Sequence, residues 1–198
     1  MKNAKIARMT GIALLMALVV VMQSISAAIP PVSGFTISLV LIPIVLGAAM
    51  FGPGAGALLG ATFGAVVFIN CVTGADAGGQ MVFQANPVLC FLVVMGKGTL
   101  AGLASGLVYK VLKGKLSGYV SMLCAAAVCP IVNTGTFVLC MLTFFKDVLS
   151  VWAGSMGGDI LAYVFSGLLL MNFVPELIIN ILFSPAGQRI MQAVQKKK

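Results

Sequence analysis

Long hydrophobic runs make up most of the chain, separated by short polar or Pro/Gly-rich breaks. A helix crossing the hydrocarbon core of a bilayer needs ~20 apolar residues. Runs close to that length fall at 10–28, 54–72, 87–112, 116–145 and 159–183, with a shorter one at 36–51. The breaks have the chemistry of turns: Pro30-Pro31-Val32-Ser33-Gly34, Gly52-Pro53-Gly54, a loop at 73–84, Lys113-Gly114-Lys115 and the stretch 146–158. This pattern predicts an all-α membrane protein, a compact bundle of six transmembrane helices forming a single domain over 1–198. The second span is short, and the second and third could be misread as one re-entrant pair.

Two runs carry glycine at every fourth position, Gly52, Gly56, Gly60 and Gly64 in one and Gly98, Gly102 and Gly106 in the other. Small residues at this spacing let helix backbones approach closely in lipid, where apolar surface alone gives helices no reason to associate. Packing is therefore the reading for both ladders.

Polar residues inside the runs are few. Lys97, between Gly96 and Gly98, lies in the run 87–112, which contains no acid. A cation at the bilayer centre costs at least ~2.5–3.5 kcal/mol and usually faces a bundle interior or a watery cavity. Counting ~1.5 Å per residue, Lys97 lies ~16 Å below Asn86 and so near the midplane. In the fifth run, Asn133-Thr134-Gly135-Thr136 follows Pro130, whose missing donor leaves a carbonyl free for other partners. Asn70, Gln84 and Asn86 sit near the outer ends of the third and fourth spans, and Asn172 on the last span reaches a depth comparable to Lys97. These residues predict an outward-opening polar pocket between spans four, five and six. Each Asn or Thr alone also reads as an ordinary interhelical hydrogen bond; their clustering at one depth is what points to a site. Glu176, after Pro175, counts to ~25 Å inward from Asp159. It reads either as solvating the inner end of the last span or as a salt-bridge partner for Lys97.

Composition fixes the solvent and the orientation. The chain is 61% hydrophobic and 8% charged, with a mean hydropathy of +1.14, as expected of a protein solvated by lipid. Its net charge of +8 comes from residues clustered at the termini and in one loop. With the N-terminus inside, Lys2, Lys5, Arg8, Lys110, Lys113, Lys115, Arg189 and Lys196–Lys198 are cytoplasmic, whereas the outer side holds Lys146 beside Asp76, Asp147 and Asp159. That asymmetry predicts both termini in the cytoplasm and explains the basic charge by anionic lipid, with no nucleic-acid partner. Trp152 then falls in an outer loop, at interfacial depth. The first run resembles a signal peptide with a cleavage position near Ala27-Ala28, but it reads better as the first span of the bundle.

Enzymatic chemistry has little to draw on. The chain has no His and only four acidic residues, which argues against His-based triads and paired-carboxylate catalysis. It has no P-loop for ATP. Cys71, Cys90, Cys124, Cys129 and Cys140 form no CxxC pair and read as small buried apolar residues rather than ligands. No metal or cofactor is expected.

Three segments carry a family resemblance: Ala13-Leu14-Leu15-Met16-Ala17 in the first helix, Leu41-Ile42-Pro43, and Gly52-Pro53-Gly54-Ala55-Gly56. With the size and topology, they resemble the substrate-binding S components of energy-coupling factor (ECF) vitamin transporters, over essentially the whole chain. The closest likeness is to the branch handling pantothenate, riboflavin, folate and cobalamin. The resemblance implies a multi-pass protein of the bacterial cell membrane. It implies a subunit that captures a water-soluble vitamin and works with a transmembrane T subunit and two ATPases. It also implies that Ala13 and Ala17 pack against that T subunit. The vitamin site would lie near the outer face, formed by the later helices and by the loops after spans one, three and five. Here that means residues 30–35, 73–84 and the polar set Lys97, Asn133, Thr134, Thr136, Asn172, Asn86, Gln84, Asn70, Trp152 and Tyr163. The subunit would deliver its ligand by tipping in the membrane. A lone Lys at the pocket floor suits one carboxylate, which favours pantothenate. Riboflavin calls for more aromatic lining than Phe83, Phe137, Trp152 and Tyr163 offer, and folate for a second cation. Two other classes fit the composition: a self-sufficient carrier or channel, and a structural membrane protein in which Lys97 pairs with Glu176.

Overall fold

The computed structural model describes residues 2–28, 39–154 and 157–195. In chain order the helices are α1 (Lys2–Ala28), α2 (Leu41–Phe51), α3 (Pro53–Thr73), α4 (Ala77–Ala85), α5 (Pro87–Leu112), α6 (Gly118–Phe144), α7 (Lys146–Gly154) and α8 (Ile160–Tyr163); α8 continues through a π-helical segment (Val164–Phe173) into α9 (Val174–Gln195). No strand occurs among the described residues. Five helical stretches are long and apolar enough to cross a membrane, and α2 is a shorter apolar helix.

Proline and glycine set the helix boundaries. Gly52, at φ 95°, ends α2 by donating its N–H to Ala48 O at 3.0 Å, and Pro53 starts α3 where no intrahelical donor is needed. Asn86 caps α5, its side-chain oxygen accepting from Leu89 N at 3.0 Å, with Pro87 next. The stretches 73–84 and 146–158, expected as loops, each hold a nine-residue helix, α4 and α7. Both are too short to span a bilayer, and Gly78-Gly79 further weakens the helical signal of α4. They form because Val82 on α4, and Val148, Leu149 and Ala153 on α7, are buried against the rest of the fold.

The centre of the molecule is a glycine seam between antiparallel α3 and α5. Gly56 lies against the carbonyl of Gly102, Gly60 against that of Gly98, and Gly64 against that of Val94, so a Cβ on any of these three would strike backbone. The predicted ladders thus meet each other. Further along the sequence, Ser105 on α5 donates to Ala125 O on α6 at 3.0 Å, fixing the register of that antiparallel pair. Near the start of α6, Gly118 packs directly on the Gln188 side chain of α9. Next along the same two helices, Met122 and Ala126 share a cleft with Asn180 and Ser184. α6 runs unbroken through Pro130.

These registers give the bundle two distinct ends. One carries Lys110, Lys113, Lys115 and Arg189, and there Arg8 on α1 donates to the terminal carbonyl of α2, Phe51 O, at 2.9 Å. The opposite, capped end carries α4 and α7 with Asp76, Asp147 and Asp159. α1 is peripheral. Leu15 and Val19 are buried, while Leu14, Leu18, Val21 and Ile25 are exposed.

Candidate functional site

Lys97 projects from α5 between the glycine seam and α6. Its neighbour Gly98 lies against α3 at Gly60, so the Lys97 side chain is held where three helices meet. The ammonium nitrogen lies 4.7 Å from the centre of the Phe137 ring on α6 and 5.8 Å from that of Phe63 on α3. At such distances a ring face attracts a cation by roughly 0.5–2 kcal/mol, the larger values applying where water is excluded. Two aromatic faces thus hold a charge for which the sequence pointed only to an anion. The sequence offers Phe137 as pocket lining and does not single out Phe63. Their spacing offered a signal, since Phe137 stands four residues beyond Asn133 and on the same helical face.

Helix register brings further polar residues to the level of Lys97. Moving roughly two turns (~12 Å) toward the capped end from the Ser105–Ala125 contact places Lys97 level with Asn133. The same step from Ala126 and Asn180, which line one cleft, sets Asn172 level with Asn133 and Thr134. Asn133 is 4% exposed and Thr134 3%, and neither Asn133 Oδ1 nor Thr134 Oγ1 has a hydrogen-bond partner. Thr136 and Asn172 are half-buried. Asn172 lies in the π-helical segment, where Val174 N–H reaches back five residues to Leu169 O; π turns are rare and recur at functional sites.

Glu176 does not sit at an inner helix end. The last span runs from Ile160 to Val194, 35 residues, well past the boundary expected at 183, and this places Glu176 near its middle. It is 1% exposed, about one turn from Asn172 and within electrostatic reach of Cys129. Its backbone carbonyl accepts from Asn180 Nδ2 at 2.8 Å.

Other residues expected at the site lie toward the capped end. Trp152 on α7 donates its Nε1–H to Met81 Sδ on α4 at 3.3 Å, and its ring centre lies 6.3 Å from that of the buried Tyr163. Phe68 packs edge-on against Phe83 and Phe91, at 5.8 and 5.2 Å, joining α3, α4 and α5. Asn70 is half-buried, and its carbonyl accepts from Asp76 N at 3.2 Å. Gln84 and Asn86 are exposed, the latter occupied as the cap of α5. The structure therefore gathers Lys97, Asn133, Thr134 and Asn172 at one level, and sets Trp152, Tyr163, Asn70, Gln84 and Asn86 nearer the cap. Residues 30–35, expected to act as a lid, lie outside the described residues. Ala13 and Ala17 are exposed on α1, beside Leu14 and Leu18. No group of three or more His, Cys, Asp or Glu residues able to hold a metal occurs among the described residues.

Residues 7–186 match the sequence model of the family described as the ECF transporter, substrate-specific component. The match covers most of the chain, which belongs to that family. It is accordingly the substrate-specific, transporting subunit of such a complex, and membership implies a small-molecule substrate together with T and ATPase subunits. No curated protein matches the chain.

Proposed function

We propose that the chain captures a water-soluble vitamin at a pocket built around Lys97, with pantothenate the favoured ligand, and passes it inward when docked on a T subunit driven by two ATPases. The observation that carries this reading is the shared level of Lys97, Asn133, Thr134 and Asn172 beneath a cap of two short helices. A lone cation suits a ligand with one carboxylate, to which it gives a charge-assisted hydrogen bond. In this reading the capped end faces outward and both termini face the cytoplasm, in line with the distribution of Lys and Arg. Trp152, Tyr163 and the polar residues Asn70, Gln84 and Asn86 line the way in.

Docking is assigned to α1. Ala13 and Ala17 are exposed with large apolar neighbours, a surface that a partner helix can approach closely because the alanines are small. Tipping of the whole subunit in the membrane completes delivery. The test is thermal stabilisation of the detergent-purified protein against a vitamin panel. A ligand at 100 times its Kd adds ~2.7 kcal/mol to stability, so pantothenate is expected to raise the melting temperature clearly. No response to pantothenate alongside a response to riboflavin or folate contradicts the choice of ligand.

A further inference from the structure

Two buried polar atoms narrow the chemistry of the ligand: the Asn133 amide oxygen, which only accepts, and the Thr134 hydroxyl, which accepts and donates. Asn133 Oδ1 and Thr134 Oγ1 belong to residues that the register of α5 against α6 sets level with Lys97, both side chains more than nine-tenths buried and neither atom hydrogen-bonded. A buried acceptor left without a donor is unfavourable, more so away from water. Packing alone does not call for an Asn here, since leucine fills a similar volume with no polar atom to satisfy. Phe137 holds the Lys97 ammonium one turn from Asn133 on the same face of α6. One molecule bound over this stretch of α6 can therefore meet the ammonium at one point and the two acceptors at another.

We infer that the ligand is a small organic acid that also carries N–H or O–H donors, its carboxylate meeting Lys97 and its donors meeting Asn133 Oδ1 and Thr134 Oγ1. This rests on the site proposed above and adds a specificity rule to it. A carboxylate without donors can accept from the Thr134 hydroxyl but leaves Asn133 Oδ1 bare, and a donor-bearing neutral molecule leaves the cation unmatched. Sites built to hydrogen-bond a ligand group discriminate strongly against analogues lacking it.

The experiment has two arms, both on the full chain purified in detergent. Without ligand, Thr134→Val and Asn133→Leu are melted beside the wild type. Both are expected to melt at the same temperature or higher, because each removes an unsatisfied polar atom and leaves a similar shape. A clear drop for the near-isosteric Thr134→Val means that the atom is satisfied within the protein, and overturns the inference. With ligand, binding is measured for pantothenate and biotin (acids with donors), lipoate (an acid whose only donor is its carboxyl) and panthenol (donors without the acid). At least one of the first two is expected to bind tenfold or more tightly than both lipoate and panthenol, and that preference is expected to be lost in Asn133→Leu and Thr134→Val. Equal binding of lipoate or panthenol, variants with wild-type preference, or no binding of either donor-bearing acid each overturns it. Co-purification with T and ATPase subunits is scored separately, so a failed ligand rule is not mistaken for a failed assignment as a substrate-specific subunit.

Discussion

Lys97 is held by ring faces. With the ammonium 4.7 Å from the centre of Phe137, the side chain is already positioned for the carboxylate proposed above, which would lower the ordering cost of binding. Lys97→Ala is expected to weaken pantothenate binding by ~1.5–3 kcal/mol, the scale of hydrogen bonds to charged groups, measured by titration calorimetry on folded protein. Affinity equal to wild type removes Lys97 from the site. Phe137→Leu keeps the charge but removes one face, and a loss of about 0.5–2 kcal/mol is expected, smaller than that of Lys97→Ala. At this scale the sequence was legible in part. An intramembrane lysine stands out against an apolar background, but phenylalanine does not. Which of many Phe residues meets the cation depends on the register of α5 against α6 and α3, which no local pattern encodes. Glu176 was misplaced for a related reason: a straight count along the span could not include the π-helical stretch or the extension to Gln195.

At the scale of elements, the contact between α3 and α5 depends on the absence of side chains. Gly60 lies against the Gly98 carbonyl, whereas Gly54, on the same helix, has nothing within 4 Å of where its Cβ would be. Gly60→Ala is therefore expected to lower stability by about 1–3 kcal/mol, as overpacking does. Gly54→Ala is expected to be neutral or stabilising by up to about 1 kcal/mol, since alanine is the better helix former. Thermal melts of the two variants decide this, and equal destabilisation contradicts the seam. The glycine ladders and the Pro/Gly breaks made the long helices readable, because a four-residue period and a missing donor are local properties. α4 and α7 escaped because their apolar residues are few and their helical form depends on burial against neighbours far along the chain. The latch between them, Trp152 to Met81, joins residues 71 apart in sequence and has no local signature.

For the whole molecule, the asymmetry lies between a packed centre and a peripheral α1. Leu15 and Val19 attach α1 to the bundle, and Ala13, Leu14, Ala17 and Leu18 face outward. Ala13→Leu with Ala17→Leu is expected to leave pantothenate affinity within twofold of wild type, while pull-down of the T subunit and ATPases is lost, because bulk blocks close helix approach. Loss of ligand binding together with assembly instead places α1 in the ligand site. Membrane class and the family were open to inference from the sequence, the first through composition and the second through three short motifs and the span pattern. That Lys97, Asn133, Thr134 and Asn172 share a level was readable only approximately, by counting residues inward from the span ends; the packing registers align these residues directly.

The central claim is that this chain binds the ligand and its partners supply the energy. Uptake of labelled pantothenate into vesicles tests it most directly, with the chain reconstituted alone, with a T subunit, and with the T subunit and both ATPases plus ATP. Accumulation is expected only in the last case, and to be lost when ATP is withheld. Accumulation by the chain alone contradicts the account.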